Sequence, residues 1–504
     1  MGTEFDLKIS NGLVVTGDGS PGQLGTVAIR DGRIAAMGDT VAGEAAREVD
    51  AAGHIVCPGF IDIHNHAAPC PVVNFLQQGA TTLVTGNCGF SCVDVAAFAQ
   101  QCADKPLGPN LATLIGHNAV RSAVVGHADR PATPDEMEQM KALVRKGMAD
   151  GAVGFSTGLI YVPGVYTTTD EIVELAKAAA EHGGFYATHM RDEADEILDG
   201  VEEALRVGRE SGLPVQISHL KIRGVPNRGR STEVLALLAQ ARADGLDVLA
   251  DQYPYTASCA RIGILLPAWA REGDVQEVAA RFADPEQVER ARQGIMDYIG
   301  HVYGGDAARI VVSLCQDDAS LEGKSLVEMA AESQGGSSLA DVADAVIEVA
   351  KRDPAGRQTM CVYHGMFEED VARVMADPHT MIASDGWHTV PTEGAPHPRL
   401  YGTFPRVLGR YCREQGLFPV EEAIRKMTSL PAQRLGLTDR GVLAEGAWAD
   451  VVVFDPDTVI DQAEFGDSHQ FSAGIDIVVV NGTAVIDHGE HTGATPGVFV
   501  KRPA

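Results

Sequence analysis

The sequence predicts an α/β fold: a TIM-like (β/α)8 barrel with a small β-sandwich domain built from both chain ends. Three observations predict it. Residues 58–430 alternate short apolar strands with helical stretches, the pattern of parallel βα units. Both ends are instead runs of short strands with tight turns. Six residues able to hold a cation or move a proton (His64, His66, Cys88, His189, His219 and Asp385) each close a strand-like run. The C-terminal strand ends are where such a barrel carries its site.

Size and composition allow this architecture. The chain has 504 residues, 45% of them hydrophobic, enough for one large domain plus a smaller one or an insertion. Asp+Glu 69 against Lys+Arg 40 gives a formal charge of -29. Such a surface repels nucleic acid and anionic membrane, so neither is expected as a partner. Nine cysteines without a dense spacing pattern argue against a disulfide framework and for a reducing cytoplasm. Met1 to Ser10 lacks the basic-then-apolar pattern of a signal peptide. No apolar run approaches the roughly 18–20 residues that span a bilayer.

In chain order, residues 1–57 form one part of the sandwich, with a hairpin turn at Asp31-Gly32. Residues 431–504 form the other, with strands at 450–454, 477–480 and 484–486 and a turn at Asn481-Gly482. Between them the barrel strands fall at 55–61, 81–86, 111–116, 152–156, 184–188, 214–218, 247–251 and 380–384. The gap between the last two is too long for one crossover. Residues 265–355 therefore read as an insertion, either a lid over the site or a surface decoration.

The chemistry starts at Gly59-Phe60-Ile61-Asp62-Ile63-His64-Asn65-His66. In a strand, residues i and i+2 share a side, so two imidazoles can reach one cation. Neutral imidazole suits Zn²⁺ and related ions. Cys88 follows the next strand beside a Gly-Asn step, a place for a thiolate ligand. His189 and His219 end consecutive strands, so both can share one ion. Asp385, before Gly386 at the last strand, can ligate weakly, orient water, accept its proton and pass it to a leaving amine.

These motifs resemble the amidohydrolase superfamily and, within it, the N-acyl-D-amino-acid deacylases, or D-aminoacylases. The narrower likeness rests on Gly86-Asn87-Cys88-Gly89-Phe90-Ser91, Gly116-His117-Asn118, Gly154-Phe155-Ser156-Thr157-Gly158-Leu159, Thr188-His189-Met190-Arg191, Ser218-His219-Leu220-Lys221 and Asp251-Gln252-Tyr253-Pro254-Tyr255. Cys88 discriminates, because many superfamily members use a carbamylated lysine instead. The resemblance implies a tightly held zinc on Cys88, His189 and His219. It implies a second, weaker site on His64, His66 and Asp385, with Asp385 as catalytic acid/base. It also implies hydrolysis of N-acyl-D-amino acids to a carboxylate and a free D-amino acid.

A substrate carboxylate needs a cationic or hydroxyl partner. Lys221, Arg191, Tyr253 and Tyr255 are the candidates, and Lys221 and Arg191 have Asp192 and Glu193 as rival partners. Trp387, beside Asp385, leads to an expected preference for hydrophobic D-side chains, although Arg399 and Arg406 keep acidic ones open. Rival readings are a dipeptidase releasing a C-terminal D-residue, a cyclic-amide hydrolase of the hydantoinase or dihydroorotase kind, and an inactive assembly protein. The acyl group and the oligomeric state are not legible.

Overall fold

A computed structural model describes residues 3–353, 358–389 and 393–502. Its fold is α/β. Both chain ends share one nine-stranded sheet, in which Val451–Phe454 runs antiparallel to Ile55–Pro58. Phe5–Val14 pairs in turn with Ile55–Pro58 and with Gln23–Arg30. Its two expected hairpin turns are there. Asp31 and Gly32 have φ of 52° and 76°, and Asn481 and Gly482 have 48° and 81°. Two successive positive φ values are what a two-residue turn needs to match strand twist.

The central part carries two parallel sheets. One joins Phe60–Asp62, Ala80–Thr85 and Asn110–Thr113. The other joins Ile115–Gly116, Phe155–Gly158, Tyr186–His189, Val215–Ile217, Val248–Gln252 and Thr380–Ile382. The run 110–116 serves both. Its first half pairs with Thr82–Thr85 and its second with Phe155–Ser156, the change falling at Leu114. The outer edges also meet. Asp385 N donates to His64 O at 2.9 Å, and His66 N donates to Gly386 O at 2.7 Å. Buried Asp62 reinforces that edge by accepting from Ser384 N at 2.9 Å and Asn65 Nδ2 at 2.8 Å.

Two expected strands shift. The run expected at 55–61 divides at Gly59, with Ile55–Pro58 in the nine-stranded sheet and Phe60–Asp62 in a parallel one. A continuous apolar run reads the same whichever sheet buries it. The strand expected at 152–156 lies at Phe155–Gly158, because Val153 and Gly154 are held by single bonds to Thr113 and Ile115.

The long gap before the last parallel strand is a folded unit wider than expected. Ser258–Arg261, Ile310–Leu314 and Met360–Tyr363 form an antiparallel sheet, covered by Pro285–Val302, Leu326–Gln334 and Leu339–Arg352 around its own apolar cluster. Residues 354 and 355, the end of the expected insertion, lie outside the described residues. Among the described residues, no helix is long and apolar enough to cross a membrane.

Candidate active site

All six singled-out residues converge at one end of the parallel strands. Cys88 Sγ lies 3.4 Å from His64 Nε2, 3.4 Å from His219 Nε2 and 3.7 Å from His189 Nδ1. Asp385 Oδ1 lies 3.2 Å from His66 Nε2 and 3.5 Å from His64 Nε2. Their donor atoms make two overlapping groups: His64, His66, Cys88 and Asp385, and Cys88, His189 and His219. Within each, every donor lies within 4.8 Å of the others. Cys88 belongs to both.

The backbone aims these side chains. Cys88, His219 and Asp385 have φ of 53°, 37° and 49°. A left-handed conformation is uncommon away from glycine, and such local strain gathers at functional sites. All three follow the last residue of a parallel strand by two or three positions. His64 and His66 lie in the turn after Asp62 rather than in the strand itself.

Carboxylates stand behind the imidazoles. Asp251 Oδ1 is 3.3 Å from His64 Nδ1 and accepts from the His219 backbone N–H at 2.6 Å. Glu193, 1% exposed, has Oε1 3.3 Å from His219 Nδ1 and Oε2 3.6 Å from His189 Nε2. Each of these two rings therefore turns one nitrogen to Cys88 and the other to Glu193. Burial would raise the Cys88 thiol, but the charges of His64 and His219 and two hydrogen bonds outweigh it and hold the thiol well below its ordinary value. Burial would likewise raise Asp385, and Arg399, donating to Asp385 Oδ2 at 2.7 Å, leads the groups that hold it well down.

A cavity of about 240 Å³ opens onto this cluster. Phe90, Ile160, Tyr161 and Trp387 give it apolar walls, and Ser258–Arg261 and Met360 of the antiparallel sheet close another side. Lys221 and Trp387, expected at the substrate, line it. Lys221 Nζ donates to Glu193 Oε1 at 2.6 Å, so its charge is already matched.

Three expected substrate contacts are corrected. Arg191 is bound to Glu203 through Nε at 3.0 Å and Nη2 at 2.9 Å, and it does not line the cavity. Tyr255 turns its hydroxyl toward Pro398 O and Asp461. Tyr253 is buried beneath Arg399, whose guanidinium carbon is 4.8 Å from its ring, and its hydroxyl faces Met366. Strand-end position was a sound guide to the donors and a poor one to these longer side chains. The expected reading missed Asp251 and Glu193 as supports for the imidazoles, Arg399 as the partner of Asp385, and Arg223 and Arg261 in the cavity wall. Glu193 had a weak signal, four residues after His189; Arg399, fourteen after Asp385, had none.

The model of the amidohydrolase family matches residues 47–486. The chain belongs to that family. This amidohydrolase is 38% identical to the D-aminoacylase of Alcaligenes xylosoxydans xylosoxydans, over 99% of the chain and 98% of that relative. It is also 38% identical to the N-acyl-D-glutamate deacylase of the same organism, over 100% of the chain and 98% of the relative. Among solved structures, it is similar to the N-acyl-D-glutamate deacylase of Bordetella bronchiseptica, complexed with zinc and a phosphonate inhibitor that mimics the tetrahedral intermediate. The TM-score is 0.83 at 34% identity, covering 99% of this chain and 100% of that one.

Proposed function

We infer that this amidohydrolase cleaves the amide bond of N-acyl-D-amino acids with zinc, releasing a carboxylate and a free D-amino acid. The observation that carries the reading is the buried Cys88 sulfur among three imidazoles, beside an ion-paired Asp385, at the parallel strand ends. The D-aminoacylase and N-acyl-D-glutamate deacylase likenesses over essentially the whole chain support it.

The donor set suits zinc. One thiolate and two imidazoles, from Cys88, His189 and His219, leave a fourth position open, as catalytic zinc requires. His64, His66 and Asp385 would make a second, weaker site, consistent with the two overlapping groups. The chemistry zinc supplies in such a site is polarisation of the amide carbonyl and a fall in the pKa of water from about 15.7 to about 7. Asp385 supplies the proton transfers. Arg399 keeps it as a carboxylate, so it can accept the proton of the attacking water as the C–O bond forms. It then returns that proton to the nitrogen as the C–N bond breaks. Glu193 fixes the outer nitrogens of His189 and His219, and Asp251 stands behind His64. Lys221 and Trp387 remain as substrate contacts, Lys221 as one half of a neutral pair with Glu193.

The same reading covers the architecture. The eight parallel strands form one closed (β/α)8 barrel, supported by the 110–116 run that serves both sheets and by the Asn65–Gly386 bridge. Residues 58–430 form the catalytic domain. Residues 1–57 and 431–504 form the small β domain, a sandwich in the expected reading. The described cysteines are free, several of them buried, which supports a cytoplasmic setting.

The test is amine release from paired N-acetyl-D- and N-acetyl-L-amino acids in added zinc. The D-series alone should turn over, and Asp385→Asn should abolish it. Equal turnover of both series, or none with zinc bound, would sink the reading.

A further inference from the structure

The charges in the cavity wall do not balance, and the imbalance points to a class of substrate. Among the residues lining the cavity there are two carboxylates, Glu193 and Asp385. Each already has a cation, Lys221 at 2.6 Å and Arg399 at 2.7 Å. Two further guanidiniums line the same cavity, Arg223 and Arg261. Arg223 is 7% exposed, and among the described residues its side chain makes no hydrogen bond. Its closest carboxylate oxygen is Glu193 Oε2, 3.9 Å from Nε, and Glu193 is already taken by Lys221 and the two histidines. Arg261, at the end of the Ser258–Arg261 strand, makes no side-chain hydrogen bond or ion pair among the described residues. Its guanidinium carbon sits 5.4 Å from the Phe90 ring centroid.

Shortage of acid does not explain this, since the chain holds 69 Asp and Glu against 40 Lys and Arg. A buried charge without a partner is costly, so a site that keeps one is built for an anion that arrives. A guanidinium matches a carboxylate through two parallel hydrogen bonds. An N-acyl-D-amino acid with an apolar side chain brings one carboxylate. One with an acidic side chain brings two, and the wall holds two unmatched guanidiniums.

Resting on the deacylase reading above, we propose that the preferred substrates are N-acyl-D-amino acids with an acidic side chain, selected by the unpaired guanidiniums of Arg223 and Arg261. This replaces the hydrophobic preference expected from Trp387. Overall similarity does not choose between the two, because the D-aminoacylase and the N-acyl-D-glutamate deacylase are each 38% identical to the chain. Trp387, Phe90 and Tyr161 then pack the methylene and acyl parts of the substrate. Two carboxylates on one ligand also explain why a cation is carried out to the mouth at Arg261, beyond the cluster at the strand ends.

The experiment is kcat/KM of the zinc-loaded enzyme for N-acetyl-D-glutamate, N-acetyl-D-aspartate, N-acetyl-D-leucine and N-acetyl-D-methionine, with wild type, Arg223→Met, Arg261→Met and Arg261→Lys. Acidic substrates should lead in the wild type. The glutamate-to-leucine ratio should fall about 10–100-fold in the Met variants, the size of a hydrogen bond to a charged group. That fall should come mainly through a higher KM for glutamate, with part of it restored in Arg261→Lys. Arg261 is exposed, so its variants test the idea even if Arg223→Met fails to fold. Faster turnover of leucine and methionine in the wild type, or an equal loss on all four substrates in the Arg261 variants, overturns the proposal while leaving the deacylase reading intact. No turnover of any D-substrate overturns both.

Discussion

The ring of parallel strand ends and the antiparallel wall facing it treat charge in opposite ways. At the strand ends every ionisable group is buried or nearly so and has a partner: Asp385 with Arg399 and His66, Glu193 with Lys221, Asp251 with His219 and His64. On the wall, Arg261 stands exposed with only an aromatic ring beside it. Arg223 lies between the two regions, buried yet unmatched. Paired groups are already fixed in place, as metal donors and proton carriers must be. Unpaired ones wait for something from outside. The comparison separates the chemistry, carried by the strand ends, from the choice of substrate, carried by the wall.

The largest expected effect lies at the strand ends. Asp385→Asn should lower kcat about 10²–10⁴-fold for every substrate, acidic or apolar, with zinc still bound. A loss confined to one substrate class would erase the distinction between the regions.

Paired buried charge elsewhere should behave structurally. His117, from the Gly116-His117-Asn118 motif, meets Glu171 at 3.0 Å, and Arg121 meets the same carboxylate at 2.6 Å. Burial pushes that carboxyl up from 4.5, but the His117 hydrogen bond and the Arg121 charge more than offset it and bring it to about 2. The folded value is depressed, so its stabilisation is fully present above pH 4.5 and is lost as pH falls toward 2. Glu171→Gln should cost about 3–5 kcal/mol at neutral pH, because Arg121 is left buried without its partner. Urea unfolding across pH should also show a shallower acid loss in the variant. An unchanged midpoint would mean that paired charge does not hold this part of the barrel.

Glu193 tests the supports behind the donors. Glu193→Gln should weaken zinc binding about 10–100-fold, as loss of a carboxylate behind a ligating histidine does. Competition against a chelator reads this without any substrate. Unaltered affinity would reduce Glu193 to a counter-ion for Lys221.

The smallest effect belongs far from both regions. Gly32 has a positive φ of 76°, and an added Cβ would come within 3.0 Å of Asn481 O. Gly32→Ala should cost about 1 kcal/mol of stability and leave the glutamate-to-leucine ratio alone. A changed ratio would tie substrate choice to the terminal sheet.

The sequence by itself determined the alternation of strand and helix, the pairing of the two chain ends and all six donors. Each of these is local. A strand announces itself through a short apolar run, the Asp31-Gly32 and Asn481-Gly482 turns through a residue pair, and a donor through its place two or three residues past a strand. Only the tertiary structure decided which sheet takes 55–58, that Arg191 belongs to Glu203 and Tyr255 to Asp461, and that Arg223 and Arg261 stand unmatched. The physical reason is reach. A donor's side chain is short and goes where its strand points it. An arginine's can swing across several ångströms to any carboxylate, and those within range of it here come from segments distant in the chain.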